Sequence, residues 1–159
     1  MKKRRRNQGA MAVEFGLVFP LLFMMMYAIL QYSLIFALQH SVSLASAEAA
    51  RSAVRFQTSS DSINVRTNAA CLTAKEILGW VESLSKRTAD CVVDGAGAGL
   101  FSIHVSSKNT NANCINANSE CIAVNIVYQY KNGGEIIPAL LPVPSSISSR
   151  SYTDISLRY

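Results

Sequence analysis

Residues 14–38 read EFGLVFPLLFMMMYAILQYSLIFAL, the most apolar stretch of the chain. No residue from Gly16 to Ala47 carries a formal charge. An α-helix rises 1.5 Å per residue, so about 20 such residues cross the hydrocarbon core of a membrane. The stretch therefore predicts one transmembrane helix, which tolerates Pro20 because this residue lies in its first turns.

The net charge of +5 is concentrated ahead of this stretch. Positions 2–6 are all Lys or Arg, whereas the chain after residue 40 holds ten Lys and Arg against nine Asp and Glu. A nucleic-acid-binding domain would cluster basic residues on a folded face, so we expect no nucleic-acid partner. Basic residues on one flank of a span instead predict a cytoplasmic N-terminus and an exported C-terminal part.

A cleaved secretory signal is the alternative interpretation of the apolar stretch. Ala45-Ser46-Ala47 resembles a small-residue cleavage site. The apolar stretch is, however, longer than the roughly 7–15 residues of secretory signals, and it begins with an acidic residue. The sequence therefore favours a retained anchor, and a mature N-terminus at Glu48 would contradict it.

The composition beyond the span predicts two further helical segments. Residues 41–55 lack Gly and Pro, and small residues recur every fourth position at Ala45, Ala49 and Ala53, which predicts a stalk helix that permits close helix approach. A polar loop is predicted at 57–61. A second, amphipathic helix is predicted over about 67–86, because large apolar residues recur at helical spacing: Leu72, Ile77, Leu78, Val81 and Leu84.

Period-two alternation near the C-terminus predicts three strands, around 101–105, 122–130 and 155–159. We expect a small antiparallel sheet packed on the helical layer, which makes the domain α+β. The predicted organisation is a leader at 1–9, a transmembrane and stalk helix at 10–56, and an exported domain at 57–159.

Four cysteines lie in the predicted exported part. An even number of cysteines in a small domain of an oxidising compartment favours two disulfides. Three pairings are possible, and the local spacing favours Cys71 with Cys91 and Cys114 with Cys121.

No catalytic or metal site is predicted. Zinc would require paired C-x-x-C spacing and nearby histidines, which the cysteines lack. His40 and His104 have neither a serine elbow nor a metal-spaced partner. We therefore expect a protein that is not an enzyme and that holds no cofactor.

The junction ahead of the span carries the most specific motif. Residues 7–15 read NQGAMAVEF, in which Gly9 is followed after four residues by Glu14 and Phe15. This pattern resembles type IV pilin-like proteins, and more narrowly the TadE-like family, minor pseudopilins of the Flp (type IVb, tight-adherence) pilus. The LVFPLL run at 17–22 and the AEAAR segment at 47–51 extend the resemblance, whereas Gln31 stands where the family often has an acidic residue.

The resemblance implies a processing site and an assembly site. A prepilin peptidase would cleave after Gly9 and leave Ala10 as the new N-terminus. Glu14, beside Phe15, would then pair with the freed amine of a neighbouring subunit as their helices pack. The residues alone also allow a second interpretation, in which Glu14 reaches the headgroup water.

The function implied by the resemblance is that of a pilus assembly subunit. It would be a single-pass protein of the bacterial inner membrane with a periplasmic domain, able to enter an extracellular filament. Its partners would be the prepilin peptidase, other pilin and pseudopilin subunits, inner-membrane assembly proteins and membrane lipid. The alternative is an unprocessed, membrane-anchored periplasmic binding or accessory protein, which would keep residues 1–9.

Overall fold

The computed structural model describes residues 8–55, 63–95, 99–106, 121–131 and 133–154. Two helices precede the sheet along the chain, which confirms the α+β class with a long N-terminal helix. The elements are α1 (Gln8–Arg55), α2 (Ile63–Ser85), β1 (Asp90–Val93), β2 (Phe101–Ser106), β3 (Cys121–Gln129) and β4 (Ser146–Asp154). The predicted loop at 57–61 lies outside the described residues.

The chain divides into two compact units, Met1–Phe36 and Ala37–Tyr159. The first unit contains the N-terminal part of α1, whose side chains from Met11 to Met26 are all exposed. Among the described residues, one helix is long and apolar enough to cross a membrane, and its most apolar stretch is uncovered. A core helix of a soluble protein would be buried, so full exposure fits a membrane anchor.

The second unit holds a four-stranded sheet in the order β1-β2-β3-β4. β2 and β3 coincide with the predicted strands at 101–105 and 122–130, and the pairs β2–β3 and β3–β4 are antiparallel. β1 pairs with β2 in parallel, so the prediction of a purely antiparallel sheet is wrong. β1 was not predicted because four residues with no alternation of burial leave no period-two pattern.

β4 was also not predicted, because the side chains that it turns toward the core are mostly hydroxylated. Ile147 and Ser149 stand opposite the buried Tyr128 and Ile126 of β3. An apolar periodicity cannot find such a strand. The strand predicted at 155–159 lies outside the described residues.

The part of α1 within the second unit packs against the sheet. Ser46 is fully buried, and its Oγ lies 2.9 Å from Ser149 Oγ and 3.1 Å from Ser151 Oγ on β4. Neighbouring positions on this helix face are buried as well: Leu38, Val42, Ala45, Ala49 and Ala53. The small residues that predicted close helix approach are therefore covered within this domain.

α2 buries a face different from the one predicted. Leu78 and Val81 are fully buried as expected, but Leu72 and Leu84 are 67% and 51% exposed. The predicted face is wrong at these two positions. The periodicity of large apolar residues does not detect small buried ones, and small residues complete the buried stripe of α2: Thr67, Ala70, Cys71 and Ala74.

A disulfide joins Cys71 on α2 to Cys91 on β1, with 6.1 Å between the Cα atoms. The closed loop of 20 residues corresponds to a stabilisation of about 3 kcal/mol through the entropy of the unfolded chain. Cys121 is also disulfide-bonded. Its predicted partner, Cys114, lies outside the described residues.

Candidate assembly site at the start of the first helix

The predicted processing and assembly residues all lie in the first turns of α1. The helix begins at Gln8, so the bond between Gly9 and Ala10 is helical. Ala10 and Glu14 are four positions apart and therefore occupy the same helix face, about 6 Å apart along the axis. Leader residues 1–7 lie outside the described residues.

Gly9 has no packing role in this structure. It is exposed, and a Cβ added to it would meet no atom within 4 Å. Glycine in a helix interior is less stable than alanine by roughly 0.5–1 kcal/mol. At the second position of α1, its physical effect is to make the first turn easier to unwind.

Glu14 is the one formally charged residue between Arg6 and Glu48. Its side chain is exposed, and no cation of the described chain lies within ion-pair distance of it. Ionisable side chains in membrane spans face protein or water and pair with other groups. A partner for Glu14 must therefore come from outside the described residues, from water, from lipid headgroups or from another molecule.

Phe15 begins an aromatic ladder of four rings, spaced four residues apart along the first part of α1. The ring centroids of Phe15 and Phe19 are 5.5 Å apart, those of Phe19 and Phe23 are 6.4 Å apart, and those of Phe23 and Tyr27 are 6.5 Å apart. Sequence reasoning found Phe15 alone, although the spacing of four was readable. Consecutive helix positions are about 100° apart, so the ladder and Glu14 belong to adjacent stripes.

The described residues of the second unit show no arrangement that favours catalysis over structure. Of the described residues, no three His, Cys, Asp or Glu side chains come together as a metal-holding group. His104 Nε2 lies 2.9 Å from the neighbouring Ser102 Oγ on β2. Both side chains have a structural explanation on the sheet.

Tyr128 has a buried hydroxyl group whose pKa is raised by its surroundings. Burial raises its pKa, against the lowering effects of a hydrogen bond from Ser85 and the charge of Arg87. Its hydroxyl donates to the Gly134 carbonyl at 2.6 Å. This contact fixes the connection between β3 and β4.

The structure argues against cleavage of a secretory signal after Ala47. Ala45 and Ser46 are fully buried, and α1 continues without interruption to Arg55. Cleavage there would remove four core side chains from the second unit: Leu38, Val42, Ala45 and Ser46. The segment is an integral part of the folded domain.

A family profile described as TadE-like protein matches residues 9–51, a little over a quarter of the 159 residues. The match begins at Gly9, contains Glu14 and Phe15, and ends at Arg51. The resemblance noted in the sequence is thereby confirmed over this segment, and it links the chain to proteins associated with the Tad pilus. No curated protein and no solved structure matches the chain.

Proposed function

We propose that this protein is a minor pseudopilin of an Flp-type tight-adherence pilus or secretion system. α1 holds it in the bacterial inner membrane, with the leader in the cytoplasm and the second unit in the periplasm. The prepilin peptidase removes residues 1–9, and the mature subunit assembles through α1 with other pilin and pseudopilin subunits and with inner-membrane assembly proteins. The observation that carries the proposal is a family match that starts at Gly9 and runs through Glu14 along an exposed apolar helix.

Processing changes the charge at the membrane face. It removes the five basic residues at positions 2–6 and creates a single amine at Ala10. In lipid, an unpaired carboxylate is unstable, and a neighbouring cation relieves this cost. Because Glu14 lies about 6 Å further along the axis than Ala10, a neighbouring helix displaced by about one turn brings its amine level with this carboxylate.

Processing can be tested with a glycine pair on the same helix. Gly9 and Gly16 are both exposed, and a Cβ added at either position meets no atom within 4 Å. The full-length chain is co-expressed with its prepilin peptidase, and the intact mass of the membrane-extracted protein is measured. We expect wild type and Gly16→Val to lack residues 1–9, and Gly9→Val to keep them.

A wild-type chain that keeps residues 1–9 in the presence of active peptidase would refute the processing step. That result would support an unprocessed, membrane-anchored periplasmic accessory protein instead.

Assembly is tested at Glu14, with Leu21→Ala as the control because Leu21 is an exposed apolar residue of the same helix. We expect Glu14→Ala to be processed normally but to be lost from crosslinked complexes with other pilus subunits. Leu21→Ala should be processed and retained. Equal recovery of both variants in the complexes would show that Glu14 only reaches headgroup water.

A further inference from the structure

The connection between β3 and β4 contains an apolar segment that exposes a large side chain. Residues 136–144 read IIPALLPVP, and no charged residue occurs between Glu135 and Arg150. We call residues 136–144 the proline loop. Leu140 is 71% exposed, more than any other large apolar side chain described in the second unit. Exposed apolar segments of this kind mark interaction surfaces.

Contacts of β4 show at which end of the second unit the proline loop lies. Ser149 and Ser151 contact Ser46 on α1, whereas Thr153 lines a cavity with residues nearer the end of α1: Glu48, Arg51, Val54 and Arg55. β4 therefore runs alongside α1 in the same direction, away from Ala37. The start of β4, and the proline loop before it, lie at the end where the chain enters the second unit.

Positions along β4 can be matched to positions along α1, because the two elements run side by side. Ser145 precedes Ser149 by four residues, which is about 13 Å at the rise of a strand. The same distance along α1 corresponds to about nine residues, which leads from Ser46 back to Ala37. Ser145 is held at this level by the backbone N–H groups of Tyr130 and Lys131, which donate to its carbonyl at 3.0 and 3.1 Å. The apolar stretch of α1 ends at Leu38, so the proline loop lies level with that end.

The backbone of the proline loop is suited to a medium poor in water. Three of its residues, Pro138, Pro142 and Pro144, have no N–H group that needs an acceptor. The N–H of Leu140 donates to the Pro138 carbonyl at 3.1 Å. Irregular backbone is excluded from the hydrocarbon core unless its polar groups are satisfied, so the loop fits the interfacial region. The exposed Glu135 at its start limits how deeply it can enter.

We propose that the proline loop rests in the outer interface of the bilayer that α1 crosses, with Leu140 inserted among the phospholipids. The occupant is lipid because the loop lies at the end of the domain that the chain connects to its apolar helix. Lys131, exposed beside Ser145, supplies a cation for lipid phosphates. The proposal rests on the proposed function only in that α1 spans the membrane.

The test places a fluorescent probe at one introduced cysteine in the full-length protein. The variants are Leu140→Cys, Leu72→Cys and Met25→Cys, which replace side chains of similar exposure: 71%, 67% and 66%. Each is labelled with an NBD probe without reductant and reconstituted at low protein density into vesicles of phosphatidylethanolamine and phosphatidylglycerol. Emission is compared with and without lipids brominated on their acyl chains.

We expect the probes at positions 140 and 25 to be quenched by brominated lipid, and the probe at position 72 to be unaffected. Bromines near the headgroup should quench the probe at 140 more than bromines near the bilayer centre. A probe at 140 that behaves like the one at 72, while 25 is quenched, overturns the proposal and leaves the anchor intact.

Two further results also decide against the proposal. A probe at 140 that emits at shorter wavelength without quenching would be covered by protein rather than by lipid. Absence of quenching at both 140 and 25 would refute the membrane span itself, and with it the proposed function.

Discussion

Replacing Gly134 by alanine tests the tightest surroundings of any described glycine in the second unit. A Cβ at this position would overlap the carbonyl oxygen of Gln129 and would lie 3.1 Å from the hydroxyl oxygen and 3.2 Å from Cζ of Tyr128. The Gln129 oxygen belongs to the backbone of β3 and cannot move freely. Residue 134 must therefore shift, and the hydrogen bond that Tyr128 donates to its carbonyl is lost.

The magnitude follows from these two effects. Overpacking a close contact costs about 1–3 kcal/mol. Leaving the buried hydroxyl of Tyr128 without its acceptor costs about 1–3 kcal/mol more. Since the two effects share one displacement, we expect a loss of about 2–4 kcal/mol in the free energy of unfolding. Tm falls by roughly 4–8 °C per kcal/mol for domains of 60–100 residues and by roughly 2–4 °C for 150–250 residues. The second unit lies between these sizes, so its Tm should fall by at least about 4 °C.

The assay is urea unfolding of the full-length protein in detergent, followed by near-UV circular dichroism. Gly79→Ala is the matched control, because a Cβ at this position of α2 meets no atom within 4 Å. Alanine is the better helix former, so this control should stabilise the domain by up to about 1 kcal/mol. Unfolding midpoints that move in the same direction for both variants would refute the close approach at Gly134.

Three further outcomes are expected of the same domain. Ser46→Ala should lower the free energy of unfolding by about 1 kcal/mol, because it removes the hydroxyl that meets β4, whereas Ser43→Ala at an exposed position should not; urea titration compares them. Replacing both Cys71 and Cys91 by serine should lower the free energy of unfolding by about 3 kcal/mol. An unchanged midpoint of urea unfolding would contradict a stabilising crosslink. Because burial raises the pKa of Tyr128, the folded domain should lose stability as the pH rises above about 10. Tyr128→Phe should flatten that loss, and the absorbance change at 295 nm in the wild type should include a late phase that Tyr128→Phe lacks.

The sequence predicted the elements that carry large apolar residues at a regular period. The uncharged stretch from Gly16 specified α1, and alternating residues such as Ile103 and Ile126 specified β2 and β3. These patterns are local, so they can be read without knowing the tertiary structure. The same reasoning missed β4, because Ser149 and Ser151 are turned inward by their hydrogen bonds to Ser46, a contact made by residues a hundred positions apart.

Small residues account for the incorrect face of α2. Ala70 and Ala74 are fully buried, whereas Leu72 is exposed, and apolarity alone assigns these positions in the opposite way. The candidate site was predicted by a different route, since Gly9 and Glu14 have no packing that marks them. They were found through a motif, and the family match covers the same segment.

The crosslink between Cys71 and Cys91 has a consequence for the direction in which the subunit can move. In the proposed topology, the second unit crosses the membrane as a linear chain, and closing the loop between α2 and β1 then opposes its return. On the other side, in the proposed topology, each of the five basic residues costs about 2.5–3.5 kcal/mol at the bilayer centre and opposes outward passage. Removal of residues 1–9 abolishes that second barrier and leaves the first. Under the proposed function, the mature subunit can then leave the bilayer only toward the side of its crosslinked domain.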